Sequence, residues 1–245
     1  STPSGRQAIG KTGFSSKYKY SSVTFENGSY VVGAPEFVIK NFTSQYAQII
    51  EENSRKGHRV LVFGKYNGIP DGKELSDNFN PMCFVLISNP IRENAPDTFK
   101  FFAEQGVEIK VISGDNPVTV SEIAKQAGIE NAKNYIDAST LTNDTAIYDA
   151  VQRYTVFGRV TPEQKRKFVR ALKLQGRTVA MTGDGVNDVL ALKDADCSVA
   201  MASGSEAAAQ VSQLVLLESD FSKMPDVVME GRRVVNNLER SGSLF

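Results

Sequence analysis

Eight consecutive residues, Met181-Thr182-Gly183-Asp184-Gly185-Val186-Asn187-Asp188, place two carboxylates four positions apart on a glycine-rich turn that follows an apolar run. Oxygen ligands gathered in this way suit a hard divalent cation; the plain structural reading is a tight turn with a helix-capping aspartate. A second apolar run ends in Ile112-Ser113-Gly114-Asp115-Asn116, just ahead of Pro117. A hydroxyl and free backbone N–H groups at a helix start form an anion site of the type that holds a phosphoryl group. Asp115 or Asn116 acting only as a cap is the structural alternative. A third segment supplies a cation: Thr161 suits a cap, Pro162 the first helical position and Gln164 the third residue of a capping box, which fixes Lys165 in the first turn. The hydroxyl of Ser113, the ammonium of Lys165 and the carboxylates of Asp184 and Asp188 are three of the four parts that phosphoryl transfer to an aspartate requires. The fourth, a carboxylate nucleophile, is absent.

The elements that must position these residues follow a regular rhythm after position 90. A strand over 108–112 leads to a helix over 117–127 stopped by Gly128, a strand over 154–157 leads to a helix over 162–175 stopped by Gly176, and a strand over 178–181 leads to a short helix over 188–193. Strands alternating with helices predict an α/β fold, a Rossmann-like parallel sheet with flanking helices and right-handed crossovers. Ligands of such sheets bind at the carboxyl ends of the strands, where all four residues fall. Before position 90 the pattern differs. Strands over 18–25 and 29–32 surround Asn27-Gly28, a hairpin signal, followed by a helix over 35–55 and strands over 59–63 and 82–88. This is a smaller α+β domain. The boundary falls at Ser88-Asn89-Pro90, which gives domains 1–88 and 89–235 and a C-terminal piece, 236–245, with Arg240 and Leu238 at helical spacing from Arg232, Arg233, Val234 and Val235.

Lys plus Arg and Asp plus Glu number 28 each in the 245 residues, so no basic field points to nucleic acid as a partner. Cys83 and Cys197 are far apart with no metal-type spacing and read as reduced thiols. No apolar run approaches the roughly 20 residues of a membrane span. Residues 1–5 read as a linker, and His58, the only histidine, as ordinary surface in a polar turn.

Taken in order, Ser113-Gly114-Asp115, Gly158-Arg159-Val160-Thr161-Pro162-Glu163-Gln164-Lys165 and Thr182-Gly183-Asp184-Gly185-Val186-Asn187-Asp188 resemble the phosphorylation domain of P-type cation-transporting ATPases, within the haloacid dehalogenase-like superfamily. The resemblance implies that Asp184 binds magnesium, that Asp188 supports the phosphorylation site and the metal, that Ser113 contacts and Lys165 stabilises the phosphoryl group, and that Gly114, Asp115 and Arg159 touch nucleotide. The first third resembles the same family's nucleotide-binding domain. Phe14-Ser15-Ser16 followed by Lys19 matches the segment whose aromatic ring stacks on adenine, Gly33-Ala34-Pro35-Glu36 matches its Lys-Gly-Ala-Pro-Glu motif, and Arg59 stands where an arginine contacts nucleotide. An aromatic face with flanking cations suits adenine and triphosphate. The implied cofactors are Mg2+ and ATP as substrate. The implied setting is the cytoplasmic side of a multi-pass membrane protein, with its own membrane and actuator domains as partners and the transported cation bound elsewhere. The C-terminal piece becomes the stalk toward a membrane helix, its cationic residues on the cytoplasmic side.

The sequence departs from the pattern at several positions. Val32 stands where a lysine is expected and Asn89 where an aspartate is expected ahead of Pro90, leaving Arg92 as the charge there; Val189-Leu190 replaces Ala-Pro. No Asp-Lys-Thr-Gly-Thr occurs, and Lys11-Thr12-Gly13 follows Gly10 rather than an aspartate. The parallel sheet is therefore expected to lack a central strand between the strand of Ser113 and that of Asp184, or to borrow one. Competing readings are a free-standing haloacid dehalogenase-like phosphatase, which needs an Asp-x-Asp nucleophile early in the chain, and a nucleotide-binding module without catalysis, which leaves Lys165, Asp184 and Asp188 unexplained.

Overall fold

A computed structural model describes residues 7–15, 17–88 and 90–242. Residues 1–5, Ser16, Asn89 and Phe245, on which expectations above fall, lie outside the described residues. The chain divides into two units, Ser1–Asn89 and Pro90–Phe245.

The first unit is a five-stranded antiparallel sheet in sequence order: β1 (Gly10–Thr12), β2 (Tyr20–Phe25), β3 (Gly28–Gly33), β4 (Arg59–Tyr66) and β5 (Phe79–Ile87), with α1 (Pro35–Val38) and α2 (Ser44–Ser54) between β3 and β4. Strand side chains alternate between faces, and here one face alone is buried: Tyr20 of β2, Val31 of β3 and Val62 of β4 form a core with Val38, Ile39, Leu75 and Phe79. On the other face Ser21, Val23, Phe25, Tyr30, Val32 and Phe63 line a hollow of about 350 Å³, where the Tyr30 and Phe63 rings stack at 5.8 Å. The hairpin between β2 and β3 has Glu26 and Asn27 as its loop residues, and it is Gly28, at φ 130°, that takes the left-handed backbone the turn requires.

The second unit carries parallel strands and helices in alternation. In chain order these are α3 (Ala95–Glu104), β6 (Val111–Ile112), α4 (Pro117–Gln126), β7 (Tyr135–Asp137), α5 (Asp144–Arg153), β8 (Val156–Gly158), α6 (Pro162–Leu174), β9 (Ala180–Gly183), α7 (Val189–Asp194), β10 (Cys197–Met201), α8 (Glu206–Val211), β11 (Leu214–Leu216) and α9 (Met224–Gly242). The strands form two separate parallel triplets, β6-β8-β7 and β11-β10-β9. The expected Rossmann-like α/β class with a smaller α+β unit is what the chain adopts, and β6 and β9, the strands that precede Ser113 and Asp184, each stand at the edge of a different triplet. Phe157 and Phe168, with ring centroids 4.7 Å apart, centre the core beneath the first triplet; Val169, Met181, Leu192 and Ala200 pack beneath the second. No helix among the described residues is long and apolar enough to cross a membrane.

Two elements differ from expectation. The helix expected over 35–55 is two helices, because Ile39 turns extended and Thr43, whose hydroxyl accepts from the Tyr46 N–H, caps a fresh start. The strand expected over 108–112 is regular only at Val111 and Ile112.

Gly33 is fixed by close approach: a Cβ there would lie 2.7 Å from the Lys19 carbonyl oxygen, from Tyr20 Cβ and from Val38 Cγ2. Gly33→Ala is expected to lower stability by about 2 kcal/mol through overpacking, read as a shift in the urea midpoint without a change in slope. In the second unit Asp194 receives Arg166 Nε at 2.8 Å and Arg170 Nε at 2.5 Å, tying α6 to the end of α7. The hydrogen bond from Arg166, then that from Arg170, holds its carboxyl below the usual aspartate range. A depressed folded-state pKa contributes stability above the unfolded value of about 4 and loses it as pH falls below that. Asp194→Asn should therefore cost up to about 1 kcal/mol at pH 7, and the gap to wild type should close in melts run progressively below about pH 4.

Candidate functional site

The N-terminus of α6 is built as the sequence dictates. Thr161 Oγ1 accepts from the Gln164 N–H at 3.2 Å and Gln164 Oε1 accepts from the Thr161 N–H at 3.1 Å, completing the capping box. The Gln164 amide also donates to the Ala138 carbonyl at 2.7 Å, which anchors the helix start to the end of β7. Lys165, held in that first turn, reaches Asp188: its Nζ lies 2.6 Å from Oδ1 in a half-buried pair. Asp188 is 5% exposed, and its second oxygen accepts the Gly185 N–H at 3.0 Å and the Asp184 N–H at 3.3 Å. Its carboxylate is thus committed on both oxygens. Asp184, one residue past β9, is exposed, and its carboxylate has no hydrogen-bond or ion-pair partner among the described residues.

The Ser113 segment is stitched to the same junction. Val160 N–H donates to the Ser113 carbonyl at 2.9 Å, and Ser113 N–H donates to the Phe157 carbonyl at 2.9 Å, so Ser113 and α6 issue from one crossing of β6 and β8. Ser113 Oγ accepts the Asp115 N–H at 3.1 Å, while Arg159 N–H donates to the Asp115 carbonyl at 2.7 Å, with Gly114 half-buried between. Asn116, not Asp115, caps α4, its Oδ1 accepting the Val118 N–H at 2.9 Å. Arg159 sits at φ 52°, in the left-handed region that a non-glycine residue seldom occupies, and its guanidinium is held 2.5 Å from Asp137 at the end of β7. Burial alone would raise the Asp137 pKa, but two hydrogen bonds from Ser139 and the Arg159 charge outweigh it and hold the carboxyl below its ordinary value.

The structure therefore brings Lys165, Asp184 and Asp188 into one group and Ser113, Gly114, Asp115 and Arg159 into a second, joined through Val160. In the first unit, Phe14, Lys19, Gly33 and Arg59 fall at one end of the antiparallel sheet. Ser15 N–H donates to the Tyr20 carbonyl, folding the Phe14 segment back on β2, and Ala34 N–H donates to the Lys19 carbonyl at 2.9 Å. Phe14 is 61% exposed, whereas Gly33 is buried and opposes both Tyr20 and Val62. Arg59 opens β4, three residues before Val62, about 10 Å along the strand.

Sequence reasoning passed over Asp137 and the segment Ser203-Gly204-Ser205. Both carried a signal: Asp137 ends the short strand β7 and caps the turn after it, and Ser203-Gly204-Ser205 is a run of small residues just past β10. No group of three or more His, Cys, Asp or Glu gathers to hold a metal among the described residues. One exposed, unpaired carboxylate beside a second suits magnesium nonetheless, since that ion keeps several waters and shares its shell with phosphate oxygens.

Residues 8–196 match the model of a hydrolase family, the haloacid dehalogenase-like hydrolases. The calcium-transporting ATPase CtpE of Mycolicibacterium smegmatis is 43% identical over 246 aligned positions, covering 100% of this chain and 31% of that protein. The probable cation-transporting ATPase exp7 of Streptococcus pneumoniae is 40% identical over 95% of the chain and 30% of its own length. The endoplasmic-reticulum-type calcium-transporting ATPase 3 of Arabidopsis thaliana is 34% identical over 71% of the chain and 19% of its own length. The chain thus spans less than a third of the relatives it matches.

Breaking this ion pair from the Lys165 side strands the buried charge of Asp188. Lys165→Met is expected to cost about 3 kcal/mol, and Lys165→Met with Asp188→Asn less than the sum of the two single changes, as a double-mutant cycle in urea would read.

Proposed function

Because the chain belongs to the haloacid dehalogenase-like hydrolases, we propose that it is the ATP-binding cytoplasmic part of a P-type cation-transporting ATPase that cycles through an aspartyl phosphate. The observation that carries the reading is the Lys165–Asp188 pair beside the unpaired Asp184, at the carboxyl ends of parallel strands, in a chain similar along its whole length to cation-transporting ATPases. In the proposed reaction a carboxylate from outside this sequence attacks the γ-phosphorus of ATP, a new P–O bond forms, and the bond to the ADP oxygen breaks.

Each group then has a task. Lys165 supplies positive charge to the phosphoryl oxygens, and Asp188, already bound to two amides, keeps that ammonium aimed. Ser113 has its Oγ lone pair engaged by the Asp115 N–H, which leaves the hydroxyl proton to donate to a phosphoryl oxygen. Asp184, with Asp188 beside it, would hold Mg2+, which when bound neutralises charge developing between the β- and γ-phosphates. Gly114, Asp115 and Arg159 take the nucleotide near Ser113. In the smaller unit Phe14 offers an exposed ring for adenine, Lys19 and Arg59, at the same end of the sheet, supply cations for the triphosphate, and Gly33 is buried opposite Tyr20 and Val62. Val32 subtracts a cation from this pocket. The parent would be a membrane protein with this part on its cytoplasmic side, its own membrane and actuator domains as partners, and no nucleic acid. Calcium is the transported ion named for two of the relatives and the cation proposed here.

This chain alone should bind adenine nucleotide weakly and never become phosphorylated. Calorimetry with ATP tests the first half: Phe14→Ala is expected to weaken binding several-fold, and unchanged affinity would remove the adenine pocket from the reading. Incubation with γ-labelled ATP and magnesium, quenched in acid, tests the second, and a hydroxylamine-sensitive label on this chain would overturn the assignment of the nucleophile to an outside segment.

A further inference from the structure

The peptide of Asp184 is gripped from both sides. Its N–H donates to Asp188, as described, and its carbonyl accepts the Ser205 N–H at 2.6 Å. Ser205 belongs to the turn that follows β10, twenty-one positions further along the chain. The preceding residue makes the approach possible: a Cβ on Gly204 would lie 2.5 Å from the Asp184 carbonyl oxygen, 2.9 Å from its Cα and 3.0 Å from its Cβ. This turn is itself tied down. Ala202 N–H donates to the Leu216 carbonyl at 3.0 Å, Gly204 N–H to the Met201 carbonyl at 3.0 Å, and Ser203 N–H to Ser219 Oγ at 2.8 Å. Every polar backbone atom of Asp184 is spoken for, while its carboxylate stands in solvent without a partner among the described residues.

We infer that Gly204 and Ser205 are positioning residues for the Asp184 carboxylate as a cation ligand. The inference rests on the proposed role of Asp184 and extends it to a turn for which that reading has no use. An exposed side chain on a free turn samples many directions, and a ligand that must be ordered at the moment of binding loses affinity. Pinning both the N–H and the C=O of Asp184 fixes where its Cβ points, leaving only the side-chain rotation to be settled by the ion. Outer partners of this kind change metal affinity by about 10- to 100-fold when removed.

Ser205→Pro is the strongest test. Ser205 has φ −72°, a value proline adopts, but the ring carbon of proline takes the place of the N–H that meets the Asp184 carbonyl at 2.6 Å, so the change removes the hydrogen bond and pushes the two backbones apart. Gly204→Ala drives a methyl into the Asp184 backbone, and Ser219→Ala, a milder change, loosens the turn at its far anchor. Mn2+ alone is titrated into the chain, with paramagnetic broadening of amide signals around residues 183–188 as the readout and thermal melts as the fold control. Expected are loss of local broadening in Asp184→Asn, about tenfold weaker Mn2+ binding in Ser205→Pro, and a smaller weakening in Ser219→Ala, all in folded protein. Wild-type Mn2+ affinity in folded Ser205→Pro and Ser219→Ala, with Asp184→Asn still deficient, would overturn the positioning role and leave the ligand role standing. Wild-type affinity in Asp184→Asn would overturn the ligand role itself.

Discussion

The contact on which the arrangement of the second unit's candidate site depends is the one between Lys165 and Asp188. It joins the first turn of α6 to the loop after β9, two segments that belong to different parallel triplets, and no ladder hydrogen bond links those triplets. The pair is half-buried, so its charges are screened less than a surface pair's and each is costly to leave alone. The surrounding backbone is arranged to meet that cost. Two amides cover the second oxygen of Asp188, and Gly183 lets the backbone approach its Cβ where a side chain would collide at 2.6 Å. The capping box sets where α6 begins, and hence where the ammonium projects.

Around this pair the two groups of candidate site residues differ in kind. Lys165, Asp184 and Asp188 are held mostly by charge and by amides pointing at carboxylates, whereas Ser113, Asp115 and Arg159 are held by backbone bonds between the ends of β6 and β8. Arg159 pays for its place with a left-handed backbone, and Asp137 together with the Asp115 carbonyl keeps it there. Strain of this sort persists only where neighbours over-determine the conformation.

Much of this was legible in the residues themselves. The start of α6 is a local code in which Thr161, Pro162 and Gln164 suffice, and Lys165 follows by counting. The class of the fold was legible for a similar reason, since strand and helix periods alternate after position 90. What escaped was non-local. Asp137 matters only because β7 lies beside β8, which brings it level with Gly158, and Gly204 only because the turn after β10 folds onto Asp184; neither juxtaposition is written in spacing along the chain. The break at Ile39 was missed for the opposite reason: residues 35–55 carry a continuous apolar pattern, and a single threonine cap at Thr43 outweighed it.

The helix α9 is packed only near its root. Met224 is buried with Phe102, Val199 and Leu216, Val228 covers that cluster, and from Gly231 onward every described residue is exposed, with Arg232 reaching Gln105 as a side stay. Nineteen helical residues make a rod about 28 Å long, so a tilt of about 10° at the root carries the far end roughly 5 Å. Phe102 and Val199 stand in the same cluster, and Val199 lies in β10, the strand that leads into the turn gripping Asp184. The rod is in this sense a lever whose fulcrum adjoins the strand behind Asp184, and small rearrangements there reach its far end magnified.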